Sequence, residues 1–310
     1  MVETPDGVDV MATGLQFPEG PIAMPDGSVI LVEIARGTLS RVSPDGTIDV
    51  IAETGGGPNG AAFGPDGRVW ITNNGGFPSR IDDKGRTRIA EGNEGYVGGS
   101  IQAVDIATGQ VETIYTECGE HPLMAPNDLV FDREGGFWFT DHGKQWDRVR
   151  DNGGIYYAKA DGSHIECMSY PVEAPNGIGL SPDETRVYFA ETHTGRVRVL
   201  DLAEPGKLDS PYGSSTRGRV LAGLPGEQLL DSLAVDSEDH VCVATIRNGG
   251  VTDFAPDGSH THVPSGDPIT TNICFGGDDM AAALITGSLE GTLLTTTWVR
   301  PGLRLNFNPY

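Results

Sequence analysis

The sequence predicts an all-β protein, a six-bladed β-propeller with four antiparallel strands per blade. Three observations carry that expectation. One phrase recurs six times along the 310 residues. Each copy sets a turn signal between two short apolar runs. No segment sustains a 3.6-residue apolar period, so a helical domain is not expected.

The phrase is clearest at Ala174–Glu191, APNGIGLSPDETRVYFAE. Pro-Asn-Gly leads into an apolar strand, Ile178–Leu180; a Pro-Asp turn follows at Pro182–Asp183, then a second strand, Val187–Ala190. Pro18–Glu33, Pro58–Asn73 and Pro126–Asp141 repeat it as PEGPIAMPDGSVILVE, PNGAAFGPDGRVWITN and PNDLVFDREGGFWFTD. Asp231–Ala244 (DSLAVDSEDHVCVA) is a fifth copy, and Thr271–Thr286 (TNICFGGDDMAAALIT) a weaker sixth. The spacing of about 40 to 70 residues brackets the ~40–50 of four-stranded blades. The longest interval holds an insertion, roughly Phe77–Gly99, rich in glycine and charge.

Second halves follow at Thr38–Ala52, Gly154–Met168, Gly250–Val263 and, with a longer linker, Gly195–Leu221. A left-over strand, Val8–Thr13, is expected to close the ring against the last blade, since radial repetition otherwise leaves exposed edges. A pair of β-sandwiches would also give short strands, but six copies of one phrase favour the propeller. Because the repeat spans nearly the whole chain, residues 1–310 are read as one domain.

Composition narrows the function classes. The 44 glycines and 21 prolines suit a protein built from turns. A formal net charge of −23 argues against nucleic acid and anionic membrane as partners, because both call for a basic surface. The N-terminal MVETPDGVDV has neither a basic start nor an apolar run, so no signal peptide is expected, and no stretch approaches ~20 apolar residues. The four cysteines, Cys118, Cys167, Cys242 and Cys274, form no C-x-x-C pair; Cys242 and Cys274 read as small buried hydrophobes. A reduced, cytoplasmic setting is the expectation.

In a propeller the first strand of each blade lines the central channel. Aligning the copies places one residue per blade at an equivalent point: Glu19, Asn59, Asn127, Asn176, Asp231 and Asn272. A Pro-Asn-Gly step is also ordinary turn chemistry. That does not account for Glu19 and Asp231, whose charges are poor choices for a buried ring unless a cation offsets them. An all-oxygen set of carboxylates and carboxamides suits a hard divalent cation, Ca²⁺ first, or Mg²⁺ or Mn²⁺. The ring holds no histidine, which weighs against a dedicated Zn²⁺ site, although Zn²⁺ stays among the alternatives.

These motifs together resemble the senescence marker protein/gluconolactonase family of six-bladed propellers, which includes regucalcin and bacterial sugar lactonases. The resemblance runs from about Phe17 to the C-terminus. It rests on FPEGP (Phe17–Pro21), APND (Ala125–Asp128) with GGFWFTD (Gly135–Asp141), APNGIGLSPD (Ala174–Asp183), LDSLAVD (Leu230–Asp236) and TNICFGG (Thr271–Gly277), in order and at blade spacing. It implies one divalent metal at the channel mouth, with Glu19, Asn176 and Asp231 matching the ligands and Asn127 a further ligand or substrate contact. It further implies metal-assisted hydrolysis of a lactone or small cyclic ester, in which the cation polarises a carbonyl and a carboxylate accepts the water's proton. Asp231 is the first candidate base, with Glu19 beside it, and Asp128 the second. No G-x-S-x-G elbow and no Cys–His arrangement is found, so covalent catalysis is disfavoured.

Sugar lactonases of the family often carry an arginine just before the metal-side asparagine; here that stretch is Leu123–Met124–Ala125, a more apolar mouth. Distant phosphotriesterase relatives carry a last-blade histidine, where this chain has Thr286–Gly287–Ser288, which counts against organophosphates. Asn59, Met124 and His142 are the expected substrate contacts, with His121, Trp146 and Phe17 as neighbours, and the insertion with its Tyr96 as a lid or a loose decoration. The expected assembly is a monomer or homodimer. A non-enzymatic metal-binding or scaffold propeller, or a different reaction at the same site, remains the alternative.

Overall fold

The computed structural model describes residues 4–90 and 92–310. Six antiparallel sheets form the blades, five of them four-stranded; in the fourth, the short strand Lys207–Leu208 pairs with Arg196–Glu204 as a fifth. Their innermost strands are Pro18–Ala23, Pro58–Phe63, Pro126–Phe131, Pro175–Leu180, Leu229–Val235 and Thr270–Gly276. Each of these touches the next and the last touches the first, so the ring is closed. The closure runs through the last blade, whose outer strand is Val8–Thr13 paired antiparallel to Thr292–Thr297. One short 3₁₀ turn, Gly213–Ser215, is the helical content among the described residues, and no helix there is long and apolar enough to cross a membrane.

The apolar residues of the repeated phrase fill six wedges, each shared by two neighbouring blades. Between blades 2 and 3, Trp70, Phe131, Phe137 and Phe139 pack together; between blades 3 and 4, Trp138, Ile155, Ile178 and Phe189 do so. The inner strands are buried on both faces, whereas outer strands such as Ile48–Glu53 are largely exposed or half-buried.

Several details depart from the sequence expectation. Pro-Asn-Gly is not a lead-in turn: it lies inside the strand at Pro58–Phe63 and at Pro175–Leu180. The glycine answers to crowding rather than to a left-handed φ. A Cβ on Gly60 would stand 2.8 Å from Asn127 O, and one on Gly177 only 2.4 Å from Leu233 N. The outer half of blade 2, left unread by the repeat, is Ser100–Asp105 with Gln110–Tyr115. The insertion before it forms a hairpin, Ser79–Ile81 with Thr87–Ile89. It is docked at both ends: Arg86 reaches Glu290 of blade 6 at 3.3 Å, and Tyr96 donates to Met124 O at 2.7 Å. At the opposite end of the channel the C-terminal segment forms a floor. Leu303 N donates to Val235 O and Tyr310 Oη to Met24 O, beneath a small cavity of ≈70 Å³. All four cysteines are free, Cys242 buried and Cys274 only partly so.

Candidate metal centre

The six ring residues stand at one end of the channel, all buried, Glu19 at 2% exposure and the others at 5–7%. A local irregularity aims them inward. In every blade the ladder between first and second strands slips beside the ring residue, as between Pro58 and Ala61, Pro126 and Leu129, Pro175 and Ile178, and Leu230 and Leu233. Blade 1 slips after Glu19 and blade 6 before Asn272. A β-bulge of this kind redirects a side chain that the pleat would place otherwise.

Threonines of the second strands fasten the bulges across blade boundaries. Thr72 donates to Asn127 O at 2.6 Å and accepts from Gly60 N; Thr140 donates to Asn176 O at 2.6 Å and accepts from Asp128 N. The acids and amides that end the second strands hold the loops before the ring. Asp141 accepts from Met124 N and Ala125 N, both at 2.7 Å, Asn73 from Gly57 N, and Glu33 from Gln16 N. These supporting residues were missed from sequence, although Glu33, Asn73, Asp141 and Glu191 close the four best copies of the phrase. Phe17 and Ala174, two residues ahead of Glu19 and Asn176, hold φ of +58° and +45°, strain that clusters where geometry is over-determined.

Three carboxylates meet here without a positive partner among the described residues. Burial raises Glu19, and the charge of Asp231 raises it further. Burial also raises Asp231, with Asp128 adding to it, and lifts Asp128 to about 7. Among the amides around them, two have their donors taken and two others have buried oxygens without a partner. Asn272 Nδ2 is bound to Glu19, and Asn176 Nδ2 to Thr192 Oγ1 at 3.2 Å. Asn59 Oδ1 and Asn127 Oδ1 are buried with no hydrogen-bond partner. Orphaned amide oxygens beside uncompensated carboxylates fit a hard cation. Asn272 itself is fully engaged, because its Oδ1 accepts from Ile273 N at 2.7 Å. Asp128 is engaged as well: its oxygens accept from Leu129 N and Ile178 N.

A second acidic group, Asp236, Cys242 and Asp253, brings its ligand atoms within 4.8 Å of one another. Arg300 donates to both carboxylates there and His240 lies 2.8 Å from Asp253, so that charge is already balanced.

Of the expected substrate contacts, Asn59 belongs to the ring and Met124 is half-buried on the loop before Asn127. His142 is half-buried beside the mouth, edge-on to His193 at 5.9 Å, and burial with Arg150 nearby keeps its imidazole neutral. His121 is exposed on a two-residue strand. Trp146 packs edge-on against Tyr96 and donates to Asp151.

Closed six-blade geometry with this oxygen-rich ring defines the class, and comparison places the chain within it. Residues 17–288 match the SMP-30/Gluconolactonase/LRE-like region, so the chain belongs to that family. It is similar to the gluconolactonase of Zymomonas mobilis, at 26% identity over 89% of this chain and 77% of that one. It is similar also to the lactonase drp35 of Staphylococcus saprophyticus, at 28% identity over 81% of this chain and 70% of that one. The crystal structure of a calcium-binding protein, regucalcin, from Agrobacterium tumefaciens shares the fold, with a TM-score of 0.71, 21% identity, and coverage of 96% of this chain and 97% of that chain.

Proposed function

We propose that this protein, acting as one domain, is a divalent-metal-dependent hydrolase that opens a lactone or related small cyclic ester at the channel mouth. The observation that carries the proposal is the buried set of Glu19, Asp128 and Asp231 without a counter-charge, beside the unpartnered Oδ1 atoms of Asn59 and Asn127. The gluconolactonase and lactonase relatives support the reaction class, and the calcium-binding neighbour supports the cofactor class.

Glu19, Asn176 and Asp231 would hold the cation, with Asn127 as a further ligand or substrate contact; Ca²⁺ is the first choice, ahead of Mg²⁺, Mn²⁺ and Zn²⁺. When bound, it supplies a positive centre that offsets the carboxylates and stabilises the oxyanion developing on the lactone carbonyl. Asp231 accepts the proton of the water that attacks the carbonyl carbon, the ring C–O bond breaks, and the same proton passes to the departing alkoxide, leaving a hydroxy acid. Asp128 is less suited to that role because both its oxygens already take backbone amides. Asn272 orients Glu19. Asn59, Met124 and His142 contact the substrate, His142 as a neutral imidazole.

The test is turnover on sugar γ- and δ-lactones, alkyl lactones and aryl esters, after chelation and after adding back each cation. Chelator-sensitive lactone opening that Asp231→Asn lowers by orders of magnitude supports the proposal. Tight cation binding with no turnover on any substrate overturns it in favour of a binding propeller.

A further inference from the structure

A second cavity lies at the ring's end of blade 3, bordered by Met124 and Asp141, which flank the strand ends next to Asn127. There Pro126 pairs with Asp141, Asp141 with Gly154, and Gly153 with Val172. The hairpin Glu117–Cys118 with His121–Pro122 touches the outer strand through Cys118 Sγ, 3.7 Å from Ile165 O, and borders a cleft of ≈560 Å³. Its size suits a small organic ligand. Its walls are soft and mostly apolar: Cys118, Pro122, Met124, Tyr156, Cys167 and Tyr170. Burial raises both thiols and the Tyr156 phenol, so these walls stay uncharged near neutral pH.

The charged groups in the cleft are unequal in what they can offer. Asp141 has its oxygens on the amides of Met124, Ala125 and Gly143, and Asp151 Oδ2 takes the Trp146 indole. Arg150 is different. Its guanidinium makes no hydrogen bond among the described residues, and its ion pair is loose, Nε lying 3.7 Å from Glu173 Oε1. A guanidinium short of acceptors, on the loop that carries His142 to the mouth, asks for an oxygen from the ligand.

Resting on the lactonase proposal above, we infer that this cleft holds the substrate's side arm: an uncharged, largely apolar arm with a carbonyl acceptor facing Arg150 and a chain running past Met124 between Tyr156 and Tyr170. A carboxylate-ended arm would meet Asp141, Asp151 and Glu173 against Arg150, and like charges in a partly desolvated site repel. A polyhydroxylated arm would leave its hydroxyls unpaired against Pro122, Met124 and the thiols. The geometry thus points to lactones with acyl or alkyl arms over aldonolactones.

The experiment compares kcat/KM, on the full chain with the cation that supports turnover, across one lactone ring. The arms are none, amide-linked acyl chains of two to eight carbons, the same chains ended in a carboxylate, and the polyhydroxylated arm. Expected is a rise of about three- to fourfold per buried methylene, carried by KM, and a loss of about tenfold or more when the arm ends in a carboxylate. Cys167→Phe, which fills the cleft, and Tyr170→Ala, a change at an exposed wall position, both shrink the ratio of long-arm to armless kcat/KM. Lactone turnover that is indifferent to arm length, or highest for the polyhydroxylated arm, overturns this inference and leaves the hydrolase proposal standing. Absence of turnover on every lactone overturns both.

Discussion

Asn272 Nδ2 donates to Glu19 Oε2 at 2.8 Å, joining the last blade's inner strand to the first across 253 residues of sequence. The bond fixes which carboxylate oxygen turns inward, and Gly20 N donates to the same Oε2 at 3.1 Å. Asn272→Ala removes that orientation and leaves Glu19 in place. A tenfold to hundredfold loss of divalent-cation affinity is the expected outcome, the usual scale for a group that orients a metal ligand. Titration calorimetry with Ca²⁺ measures it, and unchanged affinity would remove Glu19 from the ligand set.

The crowded carboxylates make the cation-free protein sensitive to pH with a definite sign. Asp128 sits at about 7, Glu19 is raised by burial and then by Asp231, and Asp231 is raised by burial and then by Asp128. An unfolded chain releases the same protons near 4. Between those values the folded state binds more protons, so its stability is greatest below about 4 and falls as pH rises through about 7. Calorimetry of the chelated protein is expected to show Tm dropping by about 5–10 °C between pH 5 and 8. Saturating Ca²⁺ abolishes the drop, with a larger stabilisation at pH 8 than at pH 5. A cation effect of the same size at both values would contradict a cation held by these three acids.

Lys144 ties down the inserted segment. Its buried ammonium donates to Gly76 O at 2.6 Å and lies 3.8 Å from the Phe77 ring centre and 4.7 Å from that of Tyr96, while burial lowers it to about 8. Lys144→Met keeps the stem and removes the charge, the hydrogen bond and the cation–π contacts. Hydrogen exchange of residues 74–99 is then expected to speed up about tenfold or more, with the inner strands unaffected. Unchanged exchange would mean that the contacts of Arg86, Asn93 and Tyr96 suffice to hold the segment.

Much of this architecture is legible in the repeated phrase because its signals are local. The turns at Pro182–Asp183 and its equivalents, the paired apolar runs and the single Asn, Asp or Glu per copy all lie within about 16 residues of one another. What was hidden depends on neighbours far away in the chain. Nothing beside Gly60 announces that Asp128 of the next blade will crowd it, so Pro-Asn-Gly passes for a turn. Thr72 looks like any strand threonine until Asn127 O is placed against it, and the docking of Arg86 on Glu290 spans 204 residues. Arg150 is hidden for a related reason: its value lies in what it lacks, a hydrogen bond to its guanidinium from anywhere else among the described residues.

The acidic group opposite the ring gives the last prediction, which separates a structural charge cluster from a cation site. Arg300 links Asp236, fully buried, and Asp253, nearly so, while His240 approaches Asp253 from the other side. It also ties the C-terminal segment to blade 5, where Gly302 bridges to Asp236. Removing one partner of a buried ion pair leaves the other charge uncompensated, at about 3–5 kcal/mol, whereas replacing all partners together costs far less. Arg300→Met is therefore expected to lose about that much stability in urea unfolding, and the triple change with Asp236→Asn and Asp253→Asn to recover most of it. The triple variant should not alter the Ca²⁺ stoichiometry, because in the native protein Arg300 already supplies the positive charge that a cation would bring, and in the triple variant neither carboxylate is left to call for one. A second Ca²⁺ bound by the native protein and lost in the triple variant would show instead that a cation displaces Arg300.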